Sequence, residues 1–251
     1  MTEKFRFILI MLLLASIQAC SDNPKNEEKG SEEQIGDTAV AEGNVPMFKS
    51  MEVPIMPDAM LDMYSPLGNE NFKSGKVPFE FNIKNHPFGQ NRPFMMSING
   101  GEPIACAQAV FQREFNTGAY RIVAYLLDEN GLALKEYGNF VDRDFTVGSS
   151  GPFPDAEEPG FILNLPVNGQ LYQEGDSIIV DYLLLNGDFR SDGLKIQVEI
   201  AGASFESKDL NPIQVKQLKK GEYEAKVSLV KDNGEELPGI FSSYKRKIAV
   251  Q

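Results

Sequence analysis

The feature that most constrains this chain is an internal duplication. Gly118 to Gly131 reads GAYRIVAYLLDENG, and Gly221 to Gly234 reads GEYEAKVSLVKDNG. Glycine, tyrosine and the closing Asn-Gly pair recur at a constant spacing of 103 residues. Between them the apolar residues alternate: Tyr120, Ile122, Ala124 and Leu126 in the first copy, Tyr223, Ala225, Val227 and Leu229 in the second. Period-two alternation running into Asn-Gly predicts a strand that enters a hairpin turn. A repeat of this length is a duplicated domain, because solenoid units recur every ~20–50 residues.

The flanking segments repeat in the same order. Pro66, Phe72 and Gly75 are answered by Pro166, Tyr172 and Gly175, and Val77, Phe79, Phe81 and Ile83 by Ile178, Val180, Tyr182 and Leu184. Phe94, Met96 and Ile98 are answered by Ile196, Val198 and Ile200, and Arg143, Phe145 and Val147 by Arg246, Ile248 and Val250. The offset grows by single insertions that fall in loops, as expected for two copies of one fold. Each copy holds about seven short strands punctuated by turn residues, which predicts an all-β protein of two tandem antiparallel sandwiches of immunoglobulin or fibronectin type. The expected boundaries are 58–148 and 160–251, with a proline-bearing, semi-rigid linker at 149–159. Tyr120 and Tyr223 stand where such folds place a tyrosine corner. Ile122 and Ala225 occupy the position of the usual second cysteine, and the chain has no Trp, so both cores are expected to rest on apolar packing.

The amino terminus reads as an export signal. Lys4 and Arg6 precede an apolar run from Phe7 to Ala15 that is too short to span a bilayer as a stable helix. The segment Ile17-Gln18-Ala19-Cys20 resembles a bacterial lipobox, although Gln18 departs from the small residue more usual there. That resemblance implies a signal peptide over 1–19 and a lipid on Cys20. Residues 20–57 then read as a flexible acidic tether, rich in Glu, Gly, Asn and Ser. Near its end, Met47, Phe48, Met51, Val53, Ile55 and Met56 interrupt the polarity among prolines 46, 54 and 57. They are either a strip that docks on a partner or the lead-in to the first strand, and the prolines favour the lead-in. The net charge of −12 argues against nucleic acid and against a peripheral grip on anionic lipid, both of which need clustered Lys and Arg.

These features together resemble a family of Bacteroidota lipoproteins with a lipobox, an acidic leader and two tandem immunoglobulin-like domains. The second domain of that family ends much like the run from Asp188-Phe189-Arg190-Ser191-Asp192-Gly193 through Leu237-Pro238-Gly239-Ile240-Phe241. Relatives are sometimes described as phosphopeptide-binding, but no motif in this chain supports that. Some carry a His-x-His strand where this chain has Phe94-Met95-Met96-Ser97, so the resemblance implies no metal role here.

Residues that could carry chemistry are few. His86, the single histidine, lies between Asn85 and Pro87 with nothing in sequence to orient it, and it reads as loop structure. Cys106 sits among small and apolar residues and reads as packing, with no basic neighbour in sequence to lower its pKa. One His and one available Cys make no zinc set. Asn186, Asp188 and Asp192 gather oxygen donors that suit calcium, and turn formation explains them equally well. The adjacent acids Glu157-Glu158 and Glu235-Glu236 read as solvated surface rather than a carboxylate pair across a cleft. No cofactor other than the lipid on Cys20 is expected. The expected function is a non-catalytic, membrane-anchored interaction or spacer module on an outer-membrane protein complex, held to the membrane by its lipid and to another envelope protein, with the face of the membrane left open. The alternative is a lipoprotein that binds an extracellular glycan or peptide through aromatics at one sandwich end. Phe88, Phe94, Phe153, Phe161 and Phe189 are the residues whose exposure separates the two.

Overall fold

The structure is a computed structural model and describes residues 45–52, 55–73, 75–148, 151, 153 and 157–251, all within one compact unit. The expected signal peptide, Cys20 and most of the expected tether lie outside the described residues. The alternating stretches become strands. A short β1 (Met47–Ser50) comes first. The first sandwich holds β2 (Met60–Ser65), β3 (Glu70–Phe72), β4 (Gly75–Lys84), β5 (Phe94–Ile98), β6 (Ile104–Cys106), β7 (Val110–Phe115), β8 (Gly118–Tyr125) and β9 (Phe140–Val147). The second holds β10 (Gly160–Leu165), β11 (Gln170–Tyr172), β12 (Ile178–Leu185), β13 (Leu194–Ile200), β14 (Ala203–Ser207), β15 (Ile213–Lys216), β16 (Gly221–Lys231) and β17 (Ser243–Val250).

The duplication is carried through to the topology. One sheet of the first sandwich is ordered β2-β4-β7, and it faces β3-β9-β8-β5-β6. The second sandwich repeats this as β10-β12-β15 facing β11-β17-β16-β13-β14. Pairing is antiparallel except for β3 on β9 and β11 on β17. This is the strand order of an immunoglobulin- or fibronectin-like sandwich. Ile104 to Phe115 divides into the two short strands β6 and β7.

Alternation puts one face of each strand into a core. Phe79, Phe94, Met96, Ile122, Ala124 and Phe145 are fully buried in the first sandwich, and Phe161, Val180, Tyr182, Ile196, Val227 and Leu229 in the second. Burying a side chain such as Phe79 stabilises the fold by about 1.5–3 kcal/mol. The first core is a stack of rings: Phe79 lies 5.1 Å from Phe111, and Phe81 lies 4.5 Å from Phe94. Both tyrosine corners are formed. The Tyr120 hydroxyl donates to the Asn116 carbonyl at 3.0 Å, and the Tyr223 hydroxyl donates to the Lys219 carbonyl at 2.8 Å.

Two sequence expectations need correction. Asn130-Gly131 does not make a tight hairpin between β8 and β9. It closes a local turn, in which the Gly131 amide donates to the Asp128 carbonyl, inside a longer loop that leads back to β9. The second correction concerns the tether, expected to run flexibly to residue 57. Met47–Ser50 instead forms β1 and pairs antiparallel with β15, with Phe48 opposite Val215, so the second sandwich gains an edge strand from before the first. Phe48 packs onto that core beside Phe205, which neither the lead-in nor the partner-docking reading anticipated. The chain then crosses to begin β2.

Candidate functional site

The strand that defines the repeat differs between its copies in one respect. β16 alternates through Val227, with Glu224 exposed and Ala225 buried, and only its last outward residues, Ser228 and Val230, are covered. In β8 the outward residues Arg121, Val123 and Tyr125 are buried along with the inward ones. The covering surface is the outer face of β10 and β12, where Ile162, Asn164, Asp181, Leu183 and Leu185 are buried as well. The matching outward positions of the first sandwich carry Asp62, Tyr64, Glu80, Asn82 and Lys84, and Tyr64 is 50% exposed. Val123, Tyr125, Ala133, Ile162, Leu183, Leu185 and Phe241 make a third apolar cluster, which joins the two sandwiches.

A polar network runs through this joint. Asp181 has no exposed surface. Its carboxylate accepts hydrogen bonds from the Ala133 amide at 2.7 Å, from Asn164 Nδ2 at 2.7 Å and from Lys135 Nζ at 2.6 Å. Asn164 Oδ1 accepts from the Tyr125 hydroxyl at 3.0 Å, and Asn164 Nδ2 also donates to the Gly131 carbonyl at 2.9 Å. Burial, followed by the charge of Asp181, pushes the Tyr125 phenol well above its ordinary range, so the hydroxyl stays a donor. The Lys135 ammonium also lies 5.6 Å from the centre of the Tyr182 ring. Every member of this network is engaged, which is what allows a charged pair to be buried at all.

The joint continues along β8 and its neighbours. Arg121 pairs with Asp142 and places its guanidinium 4.9 Å from the Phe241 ring centre. Arg246 of the second sandwich forms an ion pair at 2.9 Å with Glu102 of the first. Asn99 and Gly100 take positive φ in the turn after β5, and a Cβ on Gly100 would sit 2.9 Å from the Ile240 carbonyl. A side chain there would push the sandwiches apart. Beside Ala133 and Lys135 lies a cavity of about 100 Å³, lined also by Ile55, Met56, Leu132, Leu134 and Leu210. Small-molecule sites occupy ~300–1,000 Å³, so this space is too small for an organic substrate.

The residues singled out from sequence lie elsewhere, and the structure does not bring the aromatics together. Phe94 and Phe161 are fully buried and Phe189 is 5% exposed, all three within cores, while Phe88 and Phe153 are half-buried. They form no exposed platform at a sandwich end, because alternation had already committed three of them to packing. Asp188 Oδ1 accepts from the Arg190 and Ser191 amides at 2.9 and 2.8 Å, and Asp192 Oδ2 accepts from the Asp188 amide at 2.8 Å. Those bonds hold the Asp188 carboxyl below its usual pKa and tie both acids to the turn, with Asn186 at positive φ at its start. His86 donates from Nε2 to the Leu127 carbonyl at 2.8 Å, a loop contact as expected. Cys106 does have a basic neighbour in space, Arg113, but burial outweighs it and pushes the thiol up to about 11. Cys20 lies outside the described residues.

Sequence reasoning missed Asp181, Asn164, Lys135 and Tyr125. A signal was present: GFILNL and IIVDYLLL are apolar on both faces, unlike their counterparts MLDMYS and GKVPFEFNIK. A strand that loses alternation while its duplicate keeps it has a second covered face.

No protein-family model and no curated protein matches this chain. Among solved structures, the fibronectin(III)-like modules of Clostridium thermocellum CbhA are similar at 15% identity, covering 76% of this chain and 94% of that one, with a TM-score of 0.30. E. coli alpha-2-macroglobulin in its native conformation is similar at 12% identity, covering 77% of this chain and only 17% of that one, with a TM-score of 0.25. At those scores nothing about activity passes to this chain, and its sandwich architecture rests on its own strand order.

Proposed function

We propose that this chain is a non-catalytic, lipid-anchored interaction and spacer module of a bacterial envelope, in which the two sandwiches act as one rigid body. The observation that carries this reading is the sealed joint around Asp181 and Lys135. A linker alone would let two sandwiches swivel, whereas a buried apolar and ionic interface fixes the distance and angle between their far ends. A fixed geometry serves a component that holds a partner at a set position. The charged groups best placed for chemistry are consumed in holding that joint or in turn formation, which supports a structural rather than catalytic role. In this reading Cys20 carries the lipid and places the body at the outer membrane beside another envelope protein.

The test is purification of the tagged, full-length protein from its own membranes in mild detergent, with mass spectrometry of co-eluting proteins. A membrane partner in constant ratio is expected, together with release of the chain into the soluble fraction when Cys20→Ala blocks lipidation. Absence of any stoichiometric partner would overturn the reading, and saturable capture of a glycan or peptide in its place would establish the ligand-binding alternative.

A further inference from the structure

The two sandwiches differ at one edge. In the second, β1 lies along β15, and Phe48 stacks on Phe205 of the opposite sheet with ring centres 5.3 Å apart. β1 thereby bridges the open side between the sheets, and Ile213 and Val215 beneath it are fully buried. In the first sandwich the matching strand β7 pairs with β4 alone among the described residues. Its inward row is Phe111, Arg113 and Phe115. The two rings pack on Phe79 yet stay only partly buried, and Val110 on the other face is 68% exposed. The first sandwich does not make this strand from its own loop, since only Ala107 to Ala109 separate β6 from β7. One copy has the strand supplied from elsewhere in the chain, and among the described residues the other has the same place open.

We propose that the outer edge of β7 accepts an extended segment of a partner protein as an added strand, with an Asp or Glu of that segment facing Arg113. This rests on the interaction-module reading and names its docking edge. Strand addition uses backbone hydrogen bonds for affinity and alternate side chains for selectivity. The occupied edge sets the selectivity: Arg113 stands where Val215 stands, both opposite the inward row of the preceding strand, and Val215 faces Phe48. Arg113 has no ion pair among the described residues, so the residue that takes the place of Phe48 meets a guanidinium able to grip a carboxylate by two parallel hydrogen bonds. The same inward charge repels indiscriminate apolar strands, a recognised protection of sheet edges. It also disfavours a second copy in the antiparallel register centred on Arg113, which sets Arg113 against Arg113.

The test replaces Gln112 with the photo-crosslinking residue p-benzoylphenylalanine in the full-length protein, irradiates it in its native membranes, and sequences the crosslinked peptide. Expected is one product, attached within two residues of an Asp or Glu of another protein. Its yield should fall at least about tenfold with Arg113→Glu and return when the partner's acid is changed to Lys. Arg113 is exposed, so Arg113→Glu should keep the parent's circular dichroism and melting temperature. No product, a product indifferent to Arg113→Glu, or a product joined to a second copy would overturn the proposal. A stoichiometric partner that co-purifies without this crosslink refutes the β7 edge and leaves the interaction-module reading standing.

Discussion

Asp144, on β9 beside the joint, is a carboxylate in an unfavourable place. Its Oδ1 is buried without a hydrogen-bond partner among the described residues, and burial, then the charge of Asp142, raise its pKa from 3.8 to about 6 against the opposing pull of Arg121. A raised carboxyl pKa means the folded state binds the proton more tightly than the unfolded chain does. Asp144 therefore costs no stability below pH 3.8, and its cost grows as pH rises through the window from 3.8 to about 6. Asp144→Asn mimics the protonated form. It should raise stability at pH 7.5 by up to about 1 kcal/mol, allowing for solvent screening of a part-exposed group, with the gain vanishing near pH 4. Denaturant unfolding of both proteins at several pH values checks this, and a gain independent of pH would refute it. Asp142, two residues away on β9, was visible in the sequence, but the burial of Asp144 and the Arg121 that faces it from β8 were not, because β8 and β9 are joined only through a long loop.

At the scale of elements, β1 is the clearest case of a strand that exists because of what it covers. Four residues, Met47–Ser50, have little tendency to be extended alone, and β1 is held by the β15 ladder and by the Phe48 ring on Phe205. Phe48→Ala should cost about 1–2 kcal/mol, below the ~3–5 of a fully buried Phe, because Phe48 is only half-buried. Hydrogen exchange should show the loss confined to amides of β1 and β15, and an effect centred on β2 would contradict the pairing. The apolar residues of this segment were legible in the sequence, and so was their conflict with a polar tether. Their destination was not, because Phe48 pairs with Val215 and nothing local in the chain encodes so distant a partner. By contrast the tyrosine corners were readable, since each closes on a residue four positions earlier.

For the whole molecule, the joint predicts that two sandwiches melt as one. Asp181 and Lys135 are both buried, and removing one partner strands the other's charge together with the Ala133 amide and Asn164. Asp181→Ala should destabilise the protein by about 3–5 kcal/mol. In scanning calorimetry the parent should give a single transition, and Asp181→Ala two, as the sandwiches uncouple. A single transition in both, with a small shift, would show that the joint contributes little.

The sequence by itself determined the duplication, the all-β architecture, the strands with one inward face and the glycine and asparagine turns, because each of these is written at a period of two or within a few residues. Only the tertiary structure decided that β8 meets β10 and β12, that Asp181 is buried while its counterpart Glu80 is exposed, and that β1 crosses to the second sandwich. Periodicity records that a face is covered and carries no record of what covers it. That choice is made by packing between segments far apart in the chain, where one buried carboxylate with three donors and one cluster of apolar side chains select a single arrangement.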